Sequence, residues 1–353
     1  MEPSQHASAV LEGSRLALAR LMTQVENGEE QGLQVLDILF AYTGRAHLVG
    51  VTGSPGTGKS SLVNQLALSY RKPMVGEPRR VGVVAVDPSS PFTGGAILGD
   101  RVRMRDLAGD LGVFIRSMAT RGSLGGLAAS TSRLVQALDA AGYEVILIET
   151  VGAGQAEVDV ARLAHTTLVV EAPGLGDDIQ AIKAGILEIA DILVVNKADR
   201  PGVESTERAL RSMLQLAHPT RHIFVDSGGH HAMQTEFSSA ETAHSAGPGD
   251  GIPASESDEW MWTPPILRTV AIEGQGVQEL AAEIVKHRQY LVDSGGLEQR
   301  ERQRVKTEVD NLLHDRLLRQ WRSSIPSELY NEVIRRVMDR ETSPWQAARE
   351  LAA

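Results

Sequence analysis

Gly53-Ser54-Pro55-Gly56-Thr57-Gly58-Lys59-Ser60, with Ser61 behind it, satisfies the spacing G-x-x-x-x-G-K-[ST]. Val49 and Val51 read as the end of a buried strand, and Leu62, Val63 and Leu66 as the apolar face of a helix, the strand–loop–helix context that this spacing requires. Backbone N–H groups in such a loop point at a phosphate, and the helix N-terminus adds positive potential. The chemistry expected is phosphate binding by residues 53–61, with Lys59 reaching the β- and γ-phosphates and the Ser60 hydroxyl holding Mg²⁺. Asn196-Lys197-Ala198-Asp199 follows the apolar run Ile192–Val195. A carboxylate at Asp199 accepts two hydrogen bonds from the N1–H and exocyclic amine of guanine. Adenine offers no such donor pair, and the unpaired charge penalises it. Val270-Ala271 stands where a further base-contacting loop is expected, without the usual Ser-Ala pair.

Three other stretches bring carboxylates to strand ends. Glu149-Thr150-Val151-Gly152-Ala153-Gly154-Gln155 ends an apolar strand; Glu149 there helps hold Mg²⁺, and the glycines let the chain move as a γ-phosphate comes and goes. Gln155 reads either as a neighbour of the attacking water or as a surface residue. Asp87 closes a second strand and Asp100 follows a Gly-rich bend, a pair suited to a hard cation. Asp177 and Lys183, in Gly174–Glu188, read either as capped-helix surface charges or as part of a third switch.

The elements that must position these groups alternate in type. Strands are expected at 47–52, 81–86, 112–116, 144–149, 167–171 and 192–195, with helices between them, and a last strand through Ile266, Leu267, Val270 and Ile272. That is an α/β chain with a parallel sheet. Residues 7–44 read as two amphipathic helices, broken at Gly28 and Gly32, with Leu11, Leu18, Leu21 and Val25 on one face and Val35, Leu36, Leu39 and Tyr42 on another. Residues 226–259, rich in Gly, Ser, Ala, Glu and His, read as a mobile surface insertion. His222, His230, His231 and His244 fit no defined metal-ligand spacing. After Gly295-Gly296 a long helix carries Val305, Val309, Leu312, Leu313, Leu317 and Trp321, and past Pro326 another carries Leu329, Val333 and Val337. This stripe needs a partner surface.

Composition excludes several classes. The net charge of −10 over 353 residues argues against general nucleic-acid binding. The absence of cysteine excludes disulfides, thiol catalysis and Cys-based zinc sites. No apolar run reaches membrane-spanning length and no signal peptide opens the chain, so a cytoplasmic protein with no membrane association is expected.

Taken together, Gly53–Ser60, Asp87-Pro88-Ser89-Ser90 through Gly99-Asp100, Glu149 through Gln155, Gly176 through Gly185 and Asn196–Asp199 resemble one family. It is that of the P-loop GTPases acting as chaperones of adenosylcobalamin-dependent acyl-CoA mutases, the MeaB/ArgK type, represented in animals by the methylmalonic aciduria type A protein. Glu149 stands where most P-loop NTPases have Asp, as in this family. The resemblance covers about residues 10–225 well and the tail more loosely. It implies an α/β fold with a P-loop NTPase parallel sheet (a G domain, 46–290), an N-terminal helical extension (1–45) and a C-terminal helical dimerisation arm (291–353). It also implies a homodimer that hydrolyses GTP to GDP and phosphate with Mg²⁺, and that gates loading, protection and reactivation of cobalamin on the mutase. By the family pattern Lys59 and Ser60 hold phosphate and metal, and Asp87, Asp100 and Glu149 surround the metal and the reacting water. Asp177 and Lys183 belong to a switch answering to the mutase, and Asn196, Lys197 and Asp199 select guanine. Two alternatives stand beside this. A kinase or ATPase linked to arginine/ornithine transport is disfavoured by N-K-x-D. A nickel-inserting GTPase is disfavoured by the lack of cysteine and of an ordered His set.

Overall fold

The computed structural model describes residues 2–88, 107, 109–120, 126–150, 155–174, 188–216 and 262–352; at 87–88, 119–120, 126–128, 155–156, 216, 315 and 319 the backbone alone is described. Asp100, Asp177, Lys183, the glycines of 151–154, His222, His230, His231, His244 and the stretch 226–259 lie outside the described residues.

Among the described residues seven strands form one sheet: β1 (His47–Thr52), β2 (Val81–Pro88), β3 (Val113–Thr120), β4 (Val145–Thr150), β5 (Thr166–Glu171), β6 (Ile192–Asn196) and β7 (Ile266–Thr269). Their order is β3-β2-β4-β1-β5-β6-β7, and every neighbouring pair is parallel. Strands β1, β4, β5 and β6 are buried along their whole length, as a sheet covered on both faces demands. The last strand is shorter than its apolar pattern suggested: it stops at Thr269, and Ile272 is 77% exposed.

One face is covered by α4 (Lys59–Arg71), which leaves the phosphate loop, and α8 (Val277–Asp293). Leu62, Val63, Leu66, Leu280 and Ile284 pack there on Val49, Val51, Val83, Leu147 and Leu168. The opposite face carries α5 (Gly126–Ala140), α6 (Gln155–Leu163) and three N-terminal helices, α1 (Pro3–Leu11), α2 (Arg15–Glu26) and α3 (Glu30–Leu39). Val10, Leu21, Met22, Val25, Val35 and Leu39 form one buried cluster with Leu134, Leu138, Val84, Val86, Ile146 and Ile148. The sequence suggested two helices here. The chain breaks additionally at Gly13, where Ser14 Oγ accepts the Ala17 N–H at 3.3 Å and starts a new helix. Gly32 breaks nothing and lies inside α3. Leu11 turns outward while Val10 is buried, and Tyr42 is exposed in a short 3₁₀ turn. Helix α7 (Val203–Leu216) covers β6 near the sheet's end, with Leu193, Val195 and Leu210 in a small cluster.

After α8 come α9 (Gly296–Ser324), α10 (Ser327–Met338) and α11 (Pro344–Ala352). Val309, Leu313 and Leu317 of α9 are more than half exposed. The start of α9 is fastened to the amino ends of β5 and β6. Arg300 gives two hydrogen bonds to the Asp191 carboxylate, at 2.8 and 2.7 Å. Asp191 also accepts the Thr167 N–H at 2.8 Å. Thr166 Oγ1 sits between His287 Nδ1 (2.9 Å) and His47 Nε2 (2.8 Å). His165 accepts the Leu48 N–H on Nδ1 at 3.2 Å, so its Nε2 is the donor to Glu301, at 2.5 Å. Burial alone would raise the Asp191 carboxyl, but the charge and hydrogen bonds of Arg300, with His287 behind them, hold it well below the usual carboxylate range.

Candidate functional site

The carboxyl ends of β1, β4, β5, β6 and β7 converge on the loop 53–58. Gly53 adopts φ +129°, and a Cβ there would lie 2.1 Å from the Val170 carbonyl oxygen of β5. Only glycine lets the loop pass that close to the strand. Gly58, at φ +94°, precedes the first turn of α4, and a Cβ on it would meet Asn196 Nδ2 at 2.5 Å. Thr57 closes the loop by donating from Oγ1 to the Ser54 carbonyl at 2.9 Å. Pro55 and Gly56 are exposed at its tip, and Ser61 is half-buried.

Lys59 is buried and bends back over the loop, donating to the carbonyl oxygens of Gly53 (2.7 Å) and Ser54 (3.0 Å). Burial lowers its ammonium pKa, and the carboxylates of Glu149, Glu157 and Glu171 oppose that. One residue on, Ser60 Oγ donates to Glu149 Oε1 at 2.5 Å. Glu149 is positioned by β4, in register with Val51 of β1, and Thr150 beside it donates to Thr52 Oγ1 at 3.2 Å. The backbone of Asp87 lies at the same sheet edge, one residue past the Val86–Thr150 register pair.

Glu157 and Glu171 belong to this neighbourhood and went unread in the sequence. Glu171 ends β5 and accepts from Ser54 Oγ at 3.1 Å; burial raises its carboxyl, against the Ser54 bonds and the Lys59 charge. The signal was available for Glu171, a carboxylate closing the apolar run Leu168-Val169-Val170. For Glu157, on the first turn of α6, nothing in the spacing pointed to the loop.

Asn196 joins three segments. Its Nδ2 donates to the Thr57 carbonyl at 2.8 Å, and its Oδ1 accepts from Thr269 Oγ1 (3.1 Å) and the Ala271 N–H (3.0 Å). Lys197, at φ +57°, sends Nζ to the Gly56 carbonyl at 2.6 Å. Asp199 is exposed in the turn that follows, which the Arg200 N–H to Lys197 carbonyl bond closes at 3.0 Å. Val270 and Ala271 reach this region, but their side chains are buried and the Ala271 contact is made by the backbone.

A glycine-rich loop between a parallel strand and a helix, tied through one asparagine to an N-K-x-D turn, defines a P-loop GTPase that binds guanine nucleotide. A family model described as Methylmalonyl Co-A mutase-associated GTPase MeaB matches residues 18–325. The chain belongs to this MeaB family. A putative GTPase of Pyrococcus abyssi is 42% identical over 339 residues, covering 95% of this chain and 91% of the relative. The mitochondrial methylmalonic aciduria type A homolog of Mus musculus is 29% identical over 357 residues, covering 97% and 76%. A crystal structure of LAO/AO transport system kinase superposes with a TM-score of 0.65 at 26% identity, covering 99% of this chain and 96% of the other. No described helix is long and apolar enough to cross a membrane.

Proposed function

We propose that this GTPase is a chaperone of an adenosylcobalamin-dependent acyl-CoA mutase, methylmalonyl-CoA mutase or a relative, and that GTP hydrolysis times the loading, protection and reactivation of the mutase's cofactor. The observation that supports the nucleotide half is the Asn196 junction, which ties the glycine-rich loop to the N-K-x-D turn. The family description and the mouse homolog's name support the mutase half.

In this reading residues 53–61 wrap the phosphates, and Lys59 leaves the Gly53 and Ser54 carbonyls for the β- and γ-phosphates. Asp199 pairs with the guanine edge, Lys197 flanks the base, and Val270-Ala271 backs it. The hydroxyl of Ser60 and the carboxylate of Glu149 are hard oxygen donors at hydrogen-bond distance from one another, a set that fits Mg²⁺. Asp87 and Asp100 would complete that set, with Asp100 and Glu149 near the attacking water. When bound, the metal neutralises charge that develops on the β- and γ-phosphates. Asp177 and Lys183 act in a switch that answers to the mutase. The exposed apolar row of α9 supports a homodimer built through 291–353. A cytoplasmic protein without nucleic-acid or membrane partners completes the reading.

The test is hydrolysis of GTP and ATP by the purified protein, with and without candidate acyl-CoA mutases. GTP-selective turnover altered by a mutase is expected. ATP turnover, or phosphate transferred to an amino acid or protein, would sink the proposal in favour of a transport-linked kinase, the name that the superposed structure carries. Lys59→Ala is expected to lose nucleotide binding, and Asp199→Ala to lose the preference for guanine; unchanged GTP affinity in the second variant would refute the base site.

A further inference from the structure

Ser54, the first variable residue of the glycine-rich loop, is held at both its carbonyl and its hydroxyl. The carbonyl accepts from Lys59 Nζ at 3.0 Å, from Thr57 Oγ1 at 2.9 Å and from the Thr57 N–H at 3.4 Å. The hydroxyl donates to Glu171 Oε1 at 3.1 Å. The bonds to the carbonyl stay within the loop and the start of α4. The bond from the hydroxyl ties the loop to a strand. Glu171 ends β5 in register with Val195 of β6, and it is 6% exposed. Gly53 passes over Val170, the residue before Glu171, so closely that a Cβ would meet the Val170 carbonyl oxygen at 2.1 Å and its amide nitrogen at 2.8 Å. The Ser54 hydroxyl therefore reaches the carboxylate from a backbone already pressed on β5.

Negative charge beside a phosphate-binding loop opposes the ligand, and burying a carboxylate is costly unless it is hydrogen-bonded. The return is order in the loop. Gly53, Gly56 and Gly58 all take positive φ, and glycine has more backbone freedom to lose than any other residue. A loop that is disordered before its ligand arrives takes that loss out of the binding free energy. Lys59 does not supply the order, because in the proposed mode of binding it leaves the Ser54 carbonyl for the phosphates. The bond between Ser54 and Glu171 does not involve Lys59 and persists when it leaves. A hydroxyl-to-carboxylate bond is also charge-assisted, and stronger than a neutral one.

We infer that Glu171 is a positioning residue of the GTPase: its carboxylate anchors Ser54 to β5 and keeps the amino half of the loop in its phosphate-accepting shape before nucleotide arrives. The inference rests on the proposed phosphate contacts of residues 53–61. It does not depend on the identity of the mutase or on the chaperone reading.

The sign of the effect separates positioning from charge. By Coulomb's law alone, removing Glu171 takes a negative charge away from the phosphates and should tighten nucleotide binding. Positioning gives the opposite sign. The full chain, freed of nucleotide, is titrated with a fluorescent GDP analogue. Glu171→Ala is expected to bind about tenfold more weakly than the parent, and Ser54→Ala to lose a similar factor. The double variant should match the weaker single variant within about twofold, because both delete the same bond. Glu171→Gln loses the charge but keeps an acceptor oxygen for Ser54, and should bind within about twofold of the parent or more tightly. In GTP hydrolysis the alanine variants should raise KM and leave kcat within about twofold, since the ordered loop serves ground and transition states alike. Urea unfolding checks that each variant is folded; Ser54→Ala, which removes only a hydroxyl, carries the test if Glu171→Ala does not fold. Unchanged or tighter GDP binding in the alanine variants, additive losses in the double variant, or Glu171→Gln as weak as Glu171→Ala overturns the inference. Lys59→Ala tells this failure from a failure of the phosphate site. Binding lost there but unchanged in Glu171→Ala overturns positioning alone, and binding retained in both overturns the phosphate contacts as well.

Discussion

Replacing Asn196 by Ala removes three buried hydrogen bonds at once: the Nδ2 donation to Thr57 and the two bonds that Oδ1 accepts from Thr269 and Ala271. At a net worth of about 0.5–1.5 kcal/mol each, the sum is about 3 kcal/mol. All three are formed without nucleotide, so the loss falls first on folding. Part of it reaches the ligand, because the Thr57 carbonyl lies in the phosphate loop. If the whole cost reached binding, GDP affinity would fall by about a hundredfold, which sets the upper limit. Urea unfolding of the nucleotide-free variant gives the first quantity and titration with a fluorescent GDP analogue the second. Thr269→Val alone removes a single bond and is expected to cost about 1 kcal/mol. The double variant should cost less than the sum of the two, because both delete the same Thr269–Asn196 bond. A stability loss below about 1 kcal/mol for Asn196→Ala, together with unchanged GDP affinity, would refute the role of this side chain as the tie between loop, turn and last strand.

Gly53→Ala forces a Cβ to 2.1 Å from a backbone oxygen at φ +129°; loss of GDP binding and about 3 kcal/mol of stability are expected by titration and urea unfolding. Arg300→Ala leaves Asp191 buried without its main counter-charge and should cost about 3–5 kcal/mol in chemical denaturation. His47 and His165 are held below the ordinary histidine value, chiefly by burial. The unfolded chain takes up protons on them below about pH 6.5 and the folded chain does not, so their contribution is present above that pH and is lost as pH falls. Stability measured from pH 8 to pH 5 should therefore decline below neutrality, and His47→Asn should flatten part of the decline; identical profiles for parent and variant would disprove the assignment.

The sheet was largely legible because its strands are apolar on both faces, and runs such as Val145–Ile148 admit few other readings. The glycine-rich loop and the N-K-x-D turn were legible as strand-end segments because both are fixed residue types at fixed spacing after apolar runs. Less was visible where tertiary closeness decides. The charges of Glu157 and Glu171 act on Lys59 because α6 and β5 bring them to the loop, and no local pattern announces that. His165 meets Glu301 across 136 residues of chain. Periodicity also misplaced Leu11: a continuous helix puts it with Leu18, but the break at Gly13 resets the phase and buries Val10 instead.

The cluster that Val10, Leu21, Met22, Val25, Val35 and Leu39 share with Val84, Val86, Ile146 and Ile148 bears on how this protein can be taken apart. The first three helices are the outer skin of one sheet face, not an appendage. Trimming the chain to begin at β1 would bare a broad apolar surface and invite aggregation. The nucleotide-binding part is therefore not portable: grafted elsewhere, it must bring its N-terminal helices or be given another cover of the same shape.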